Sequence, residues 1–450
     1  MPSATALRGK AQALSRKLPA PVRNERASGR CAAVRVLEPA VPRRAVVRSL
    51  PDMNARQRLH GLALFCLCQL AACLAPPPPR PPDGLAPGPL PSVALQPSAV
   101  RAMKDMDAWS AARLMSPGIN IGNTLENTSA WETGWGNPPI TQEFVAALGR
   151  LGFKTVRLPV AWDTYAVDGR IQPEKLERVA EVVDWITGAG MFCVLNIHWD
   201  GGWIDSGSKE KFPQTYATFS PEAERKFRAY WQQIASYFAG RNEQLIFEGL
   251  NEETNFQNAG SPAQAYATLT RVNQLFIDTV RGTGGNNARR LLVIAGYTTD
   301  IQKTCDSGYA LPHDSIPERL FISVHYYTPW QFCGMTEDAD WGKMIPTWGT
   351  PEDVHTLTKL FDQMQGFCKQ HDLPAFIGEF NASDKKESAS RERWLSAVAG
   401  AAISRGMVPV LWDTGHEVSR REPHAASPEL QRLLENLPQQ PADARSAGLR

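Results

Sequence analysis

From Arg101 onwards, short apolar runs alternate with longer stretches in which apolar residues recur at helical spacing. Short runs bounded by polar or turn-forming residues are typical of buried strands, whereas the longer period is typical of helices packed along one face. The predicted strands are 118–123, 155–160, 192–198, 245–250, 291–296, 321–326, 375–379 and 408–412. The clearest predicted helices are 141–151, 173–187, 221–238, 262–280, 353–370 and 388–404.

This alternation predicts parallel β-α units, because parallel neighbouring strands need a crossover connection that a helix usually supplies. Eight units without a reversal favour a single closed (β/α)8 barrel, the TIM barrel of the α/β class, over a doubly wound sheet. Such a barrel takes about 250 residues or more, so we expect one barrel at 101–440, with extensions on either side. Barrels of this type carry their chemistry at the C-terminal ends of the strands.

Two of the predicted strands end in glutamates. The run LIFEGLNEE at 245–253 leads to Glu252, and AFIGEFN at 375–381 leads to Glu379. Strand parity places Ile246, Glu248, Leu250 and Glu252 on one face, so that Glu252 lies at the mouth of the barrel interior. An isolated acid at a strand end is usually a solvated loop residue, but two such glutamates can form the acid and nucleophile pair that glycoside hydrolysis needs.

The predicted C-terminal strand ends carry a set of polar and aromatic side chains: Asn123, Arg157, His198, Asn251 with Glu252, His325 with Tyr327, Glu379 and Trp412. This set resembles the family 5 glycoside hydrolases of clan A, whose pattern is an Arg, a His, an Asn-Glu pair, a His-x-Tyr, a Glu and a Trp in this order. The segment GINIGNTLENTSAWETGWGNPPIT at 118–141 is similar to the first strand and loop of the bacterial endoglucanase branch. The resemblance extends over residues 105–437.

The resemblance implies a role for each of these side chains. Glu379 would be the nucleophile, and Arg157 and Tyr327 would hold it ionised, since a nearby cation and a hydrogen bond to the charged form both lower a pKa. Glu252 would be the acid/base, protonated before the attack and ionised after it. Asn251 would bind the 2-hydroxyl of the sugar that is cleaved. The remaining members of the set would bind or support the substrate, with Trp412 as a stacking floor: His198, His325, Trp412 and Asn123. Trp135, in the segment 118–141, would do the same.

The sequence departs from the family pattern at two positions. Glu253 follows the Asn-Glu pair where a proline is common, and the usual histidine pair after the third strand is His198-Trp199 here. Strand parity turns Glu253 away from the cleft. Glu248 lies on the face of Glu252, deeper in the barrel, where it could be purely structural or could join the network of the site.

Aromatic residues indicate the class of substrate. Tryptophans on or beyond the predicted strand ends could stack on the C–H faces of an extended glycan, although some of them would instead pin long loops: Trp131, Trp135, Trp162, Trp199, Trp203, Trp330, Trp341 and Trp348. We therefore expect a retaining endo-β-1,4-glucanase that acts on cellulose-like or mixed-linkage glucans. The alternatives are the same mechanism on xyloglucan, mannan or xylan, and a barrel that binds glycan without turnover.

Charge and ligand spacing exclude other partners. The formal net charge of the chain is +2, but residues 1–52 hold 11 basic and 3 acidic residues, leaving 37 basic and 43 acidic residues in the rest of the chain. The chain after residue 52 is therefore mildly acidic, and it lacks the clustered basic surface that binding to nucleic acid phosphates requires. The sequence contains neither HExxH nor a His-x-His in the first strand, so we expect neither a metal nor another cofactor. We also expect a monomer.

The cysteines of the body divide into two kinds. Cys193 falls in a predicted strand and Cys368 in a predicted helix, and both are interpreted as buried free thiols. Cys305 and Cys333 fall in predicted loops. Export to an oxidising compartment would allow a disulfide between Cys305 and Cys333, with two free thiols as the alternative.

The N-terminal region has the form of a bacterial export signal. Met53 starts a segment with Arg56 and Arg58 followed by an apolar stretch, so residues 1–52 are interpreted as an over-extended start and 53–75 as the signal peptide. Leu70-Ala71-Ala72-Cys73 resembles a lipobox, which would make Cys73 a lipidated first residue and anchor the protein in the membrane; cleavage after Ala75 is the alternative. Residues 76–100 form a proline-rich spacer, and 441–450 a disordered tail. We thus expect a secreted or outer-membrane-anchored bacterial protein.

Overall fold

The computed structural model describes residues 103–205, 219–258, 261–439 and 441. The predicted start, signal peptide, lipobox cysteine Cys73, spacer 76–100 and all but residue 441 of the tail lie outside these residues. None of the described helices is both long enough and apolar enough to cross a membrane.

Eight parallel strands close into a barrel in which each strand pairs with its neighbours in the sequence and β8 pairs with β1. The strands are β1 Gly118–Asn120, β2 Thr155–Leu158, β3 Phe192–Asn196, β4 Leu245–Glu248, β5 Leu292–Ala295, β6 Leu320–His325, β7 Ala375–Phe380 and β8 Val408–Leu411. This topology confirms the predicted (β/α)8 fold. A separate two-stranded hairpin, Ala166–Val167 with Arg170–Ile171, follows β2.

Ten described α-helices accompany the strands: α1 Ala108–Met115, α2 Gln142–Arg150, α3 Pro173–Gly188, α4 Pro221–Tyr237, α5 Pro262–Gly282, α6 Ile301–Thr304, α7 Trp330–Cys333, α8 Pro351–His371, α9 Ser388–Ser404 and α10 Pro428–Glu435. Pro173, Pro221 and Pro262 each open their helix, as predicted, because a first-turn amide has no intrahelical partner to lose. Ser220 and Ser261 accept a backbone hydrogen bond at the starts of α4 and α5.

The barrel interior is apolar at the N-terminal end and polar at the C-terminal end. Strand residues such as Val194, Ile246 and Phe376 fill the lower layer, and α1 closes it from below with Ala111 and Met115. The helices pack on the outside of the barrel in a larger apolar cluster. Along β4, Ile246 lies in the lower layer, whereas Glu248 is fully buried among the polar side chains above it. The polar layer is where the strand ends meet.

Several strands end earlier than predicted. β1 stops at Asn120, and Asn123 lies in the following loop with a φ of 57°. The backbone N–H of Asn123 donates there to the side-chain carboxylate of Glu126. β4 stops at Glu248, and a Cβ at Gly249 would lie 2.8 Å from the ring of Phe276, so this strand end can approach α5 only with a glycine. Leu250 packs in the outer cluster and does not share the interior face of Glu248, contrary to the parity argument.

The structure shows which of the two alternatives for the loop cysteines holds. Cys193, Cys305, Cys333 and Cys368 are all free thiols, so the considered bridge between Cys305 and Cys333 is absent. The Sγ atom of Cys305 lies 3.9 Å from the sulfur of Met364 on α8, whereas Cys333 is buried at the end of α7. The two loop cysteines therefore have separate surroundings.

Candidate active site

Arg157, on β2, lies at the centre of the polar layer and is fully buried. Its three nitrogens donate in different directions: Nε to Glu248 at 2.6 Å, Nη1 to Glu379 at 2.7 Å, and Nη2 to Asn251 at 2.8 Å. Nη1 also donates to Asn120, which the parallel register places beside Arg157. Burial alone would lower the pKa of Arg157, but Glu248 and Glu379 raise it. The guanidinium is therefore a fixed positive charge that orients three side chains of the cleft.

Glu379, on β7, is almost completely buried and accepts two strong donors. Arg157 holds its Oε1 atom, and the Tyr327 hydroxyl donates to its Oε2 atom at 3.0 Å. Burial raises the pKa of Glu379, and the charges of His325 and Arg157 oppose that rise. Burial together with Glu379 and Glu252 raises the pKa of Tyr327 far above its ordinary value, so the hydroxyl remains a donor.

Glu252 follows β4 and is more open, with a side chain that is 31% exposed. Its Oε1 atom lies 2.6 Å from Nδ1 of His325, which in turn lies 3.8 Å from Oε2 of Glu379. Ligand atoms of Glu252, His325 and Glu379 all lie within 4.8 Å of one another. The two carboxyl groups thus face the same small volume, with His325 between them.

The titrations of Glu252, His325 and Glu379 are coupled, because each group shifts the pKa of the others. Burial acts to raise the pKa of Glu252, but the hydrogen bond and charge of His325 outweigh it and lower the pKa. Burial acts to lower the pKa of His325, but Glu379 and Glu252 raise it. These directions differ from the sequence-based expectation that Glu379 is held ionised by a lowered pKa and that Glu252 is protonated before the attack. The shifts of His325 and Glu252 both favour a protonated imidazole beside an ionised carboxylate across this short bond.

His198 and Trp412 form one wall of the site. Their rings stack with centroids 5.8 Å apart and an interplanar angle of 4°. Burial, Arg157 and His325 lower the pKa of His198 well below its ordinary value, so this ring is neutral and can exchange hydrogen bonds with hydroxyl groups. A Cβ at Gly122 would lie 3.0 Å from the Trp412 ring, so the glycine lets the loop after β1 approach the indole.

Comparisons with known proteins agree with this geometry. The family model for cellulase, glycosyl hydrolase family 5, matches residues 118–418. The chain belongs to this family. The glycoside hydrolase activity predicted from the sequence is supported by the named relatives of the enzyme. Endoglucanase A of Paenibacillus barcinonensis is 35% identical over 344 residues, which cover 69% of this chain and 84% of that protein.

Solved structures of family 5 enzymes share the architecture. A GH5-4 broad specificity endoglucanase from an uncultured bovine rumen ciliate matches with a TM-score of 0.64 and 32% identity, over 74% of this chain and 98% of that one. A Bacteroides ovatus GH5 xyloglucanase, in complex with a XXXG heptasaccharide, matches with a TM-score of 0.66 and 25% identity, over 75% of this chain and 78% of that one.

The structure brings together most of the residues predicted for the family 5 site. Arg157, Asn251, Glu252, His325, Tyr327 and Glu379 form the network described above, and His198 and Trp412 form its wall. Asn123 is not part of this network, and the polar contact from β1 comes from Asn120. Trp135 lies partly buried in the turn after β1. Neither Asn123 nor Trp135 makes a described hydrogen bond from its side chain to the two glutamates.

Sequence reasoning missed three side chains beneath the cleft: Asn120, Asn196 and Ser323. Asn196 and Ser323 donate to Glu248 at 3.2 Å and 3.0 Å, so Glu248 does belong to the network. The parallel register, which pairs Asn120 with Arg157 and Asn196 with Glu248, is the signal that would have found two of them.

Glu253 follows Glu252 in the loop after β4 and is largely buried. Its Oε1 atom accepts the backbone amide of Asn251 at 3.4 Å, while its Oε2 atom is buried without a hydrogen-bond partner. Burial, followed by the charge of Asp205, raises the pKa of Glu253 well above its ordinary value. A neutral Glu253 adds little negative charge beside Glu252.

Glu252, His325 and Glu379 are also the described group whose donor atoms lie close enough to hold a metal ion. The positive guanidinium of Arg157 lies 2.7 Å from Glu379 and opposes a cation there. The donors around these carboxylates suit acid-base and nucleophilic chemistry better than metal binding.

Proposed function

We propose that this family 5 enzyme is a retaining endo-β-1,4-glucanase that hydrolyses cellulose-like or mixed-linkage β-glucans through a covalent glycosyl-enzyme intermediate. The observation that carries the proposal is the distance of at most 4.8 Å between carboxylate oxygens of Glu252 and Glu379. Retaining enzymes hold their two carboxyl groups about 5 Å apart, whereas inverting enzymes leave room for a water molecule between them.

In the first step, Glu379 attacks the anomeric carbon while Glu252 protonates the departing oxygen. Arg157 and Tyr327 each hold one oxygen of Glu379, which fixes the direction of the attacking carboxylate and stabilises its charged form. The bond between the anomeric carbon and the glycosidic oxygen breaks as the ester to Glu379 forms. Glu252 gives its proton to the leaving oxygen and becomes a carboxylate.

In the second step, the ionised Glu252 takes a proton from water, and the water oxygen attacks the anomeric carbon to release Glu379. His325 assists both steps, because Nδ1 lies 2.6 Å from Glu252 and can share the proton that moves. Two displacements at the same carbon retain its configuration.

The polar groups around the two glutamates support sugar binding. The carbonyl oxygen of Asn251 accepts from Arg157, which leaves the nitrogen of the amide as a donor for a sugar hydroxyl. The stacked rings of His198 and Trp412 offer an aromatic surface to the sugar. Trp341, which is 64% exposed, lies in the turn closed by the antiparallel bridge between Ala339 and Gly342, in the loop after β6. Its indole could stack on a more distant sugar unit of the glycan.

A second candidate function is the hydrolysis of xyloglucan. The similarity to the Bacteroides ovatus xyloglucanase, which is bound to a XXXG heptasaccharide, favours it. Mannan and xylan are further alternatives with the same mechanism.

Release of reducing sugar from a panel of soluble polysaccharides tests both candidates. We expect turnover of carboxymethyl cellulose and mixed-linkage β-glucan, with the β-anomer as the first product detected by NMR. Faster release from xyloglucan than from either glucan would favour the second candidate. A first product with the α-configuration would exclude the retaining mechanism, and glucan that is bound but not cleaved would identify a binding module.

A further inference from the structure

Glu248 is a fully buried carboxylate that belongs to the catalytic network but lies beneath the residues that contact the substrate. Its Oε2 atom accepts from Nε of Arg157 at 2.6 Å and from Nδ2 of Asn196 at 3.2 Å. Its Oε1 atom accepts from the Ser323 hydroxyl at 3.0 Å. Each of these donors comes from a different barrel strand, so the carboxylate is held rigidly on the barrel.

The position of Glu248 fixes the orientation of Arg157. A guanidinium has donors on three edges of a plane, and the Nε edge is occupied by Glu248. With that edge fixed, Nη1 faces Glu379 and Nη2 faces Asn251. A rotation of the guanidinium would break all three bonds together.

Glu248 also divides the positive charge of Arg157. The ion pairs of Arg157 with Glu248 and Glu379 have similar lengths, 2.6 Å and 2.7 Å, and all three side chains are nearly or completely buried. A cation that is paired with one carboxylate stabilises a second carboxylate less than a free cation would. An attacking carboxylate that is stabilised too strongly loses nucleophilicity.

We propose that Glu248 is a positioning residue that orients Arg157 toward Glu379 and, by sharing the charge of Arg157, keeps the nucleophile reactive at the working pH of the enzyme. The proposal rests on the proposed function of Glu379 as the nucleophile. It differs from a purely structural role because it predicts a change in the titration of Glu379.

The variant Glu248→Gln keeps the shape of the side chain and removes its charge. Arg157 would then have Glu379 as its anionic partner, so the carboxyl group of Glu379 should ionise at lower pH. We expect the acidic limb of the pH profile of kcat/KM on an aryl β-cellobioside to move down by roughly one pH unit. We also expect kcat to fall about 10- to 100-fold, because a misplaced or less nucleophilic carboxylate attacks more slowly.

Ser323→Ala is the matched control, since it removes a neutral donor to the same carboxylate and leaves all charges in place. Its acidic limb should stay where that of the wild type lies, even if its melting temperature falls. An acidic limb that does not move in a folded Glu248→Gln variant, or that moves to higher pH, would overturn the proposal.

A readout that does not depend on turnover separates this proposal from the proposed function. Glutamate labelled with 13C at the δ-carbon would report the titration of Glu379 by NMR, with the resonance assigned from a Glu379→Gln variant. The midpoint should be lower in Glu248→Gln than in the wild type, whether or not the protein hydrolyses glucan. An unchanged midpoint would contradict the proposal, whereas an inactive wild type would contradict only the proposed function.

Should Glu248→Gln fail to fold, Glu248→Asp serves in its place. Aspartate keeps the charge but withdraws it by one methylene from Arg157. We expect a smaller shift of the Glu379 midpoint in the same direction, and a midpoint equal to that of the wild type would count against the proposal.

Discussion

Two of the buried arginine-carboxylate clusters at the C-terminal end of the barrel differ in how their charges are matched. In the catalytic cluster, Arg157 is shared by Glu248 and Glu379. In the second cluster, Arg391 of α9 pairs with Glu417 in the loop after β8, where both side chains are at most 4% exposed. Glu417 is further bonded by the hydroxyl of Ser427 at 2.6 Å and by the amide of Asn381 at 3.3 Å.

The second cluster stabilises the charge of its carboxylate without sharing the arginine between two carboxylates. Burial acts to raise the pKa of Glu417, but hydrogen bonds and charges from His416 and Arg391 lower it to about 2. Such a carboxylate stays ionised and inert near neutral pH. In the catalytic cluster, burial and a nearby second carboxylate counter the arginine, so the acids there can exchange protons and react. The same pair of residue types thus accompanies a raised carboxyl pKa in the proposed catalytic cluster and a lowered one in the second cluster.

Removing Glu379, the proposed nucleophile, should have the largest effect. Glu379→Ala should lower kcat by roughly 10⁵-fold or more, since no other group can form the glycosyl ester. Added azide should restore turnover and give a glycosyl azide of inverted configuration, which NMR of the product would detect. Rescue with retained configuration would instead assign Glu379 as the acid/base.

Removing Glu252, the proposed acid/base residue, should have a smaller effect that depends on the leaving group. Glu252→Ala should slow the hydrolysis of glucan by about 10²- to 10⁴-fold, because an alkoxide leaves poorly without a proton. An aryl glycoside with an acidic phenol should form the intermediate at nearly the normal rate, seen as a burst of phenol. Azide should rescue this variant with retained configuration, and equal losses on both substrates would contradict the assignment.

The sequence predicted the catalytic cluster better than the second one. Arg157, Glu252 and Glu379 stand at or just beyond strand ends, and the barrel topology alone brings such ends together. The contributions of Asn120 and Ser323 depend on strand register and side-chain reach, which the apolar pattern does not encode. The parity argument failed at Leu250 because the strand had already ended.

The cluster of Arg391 and Glu417 was not predicted from the sequence. Its members come from a helix and from loops whose paths are set by tertiary packing. The same reason explains why Asn123 lies in a left-handed turn beyond the end of β1, and why the sequence left open whether Cys305 and Cys333 are bridged or free.

Breaking the second cluster should affect stability and spare the chemistry. Glu417→Gln leaves Arg391 buried without its anion, and we expect the free energy of unfolding at pH 7 to fall by about 3 kcal/mol, the equivalent of its pKa shift. The folded pKa of Glu417 lies below the unfolded value, so this contribution is present above pH 4.5 and is lost as the pH falls toward about 2. Urea unfolding at several pH values should therefore show a difference between wild type and variant that shrinks in acid. A pH-independent difference would contradict the role of the Glu417 charge in stability. A large loss of kcat in the folded variant would contradict the separation of this cluster from the catalytic one.

The smallest effect is expected at Ser427, which joins the second cluster to α10. Its hydroxyl donates to Glu417 and also accepts the amide of Leu430 as the N-cap of the helix. Ser427→Ala removes both bonds, so we expect a loss of about 1–2 kcal/mol in the free energy of unfolding.

Ser220→Ala is the matched control, because Ser220 caps α4 through the amide of Ala223, and none of its described hydrogen bonds is to a carboxylate. The control should lose about 1 kcal/mol at every pH. The excess loss in Ser427→Ala should disappear in acid as Glu417 becomes protonated, because the hydroxyl then loses its charged acceptor in the wild type as well. Equal losses in the two variants at neutral pH would show that the bond to Glu417 adds nothing to the cap.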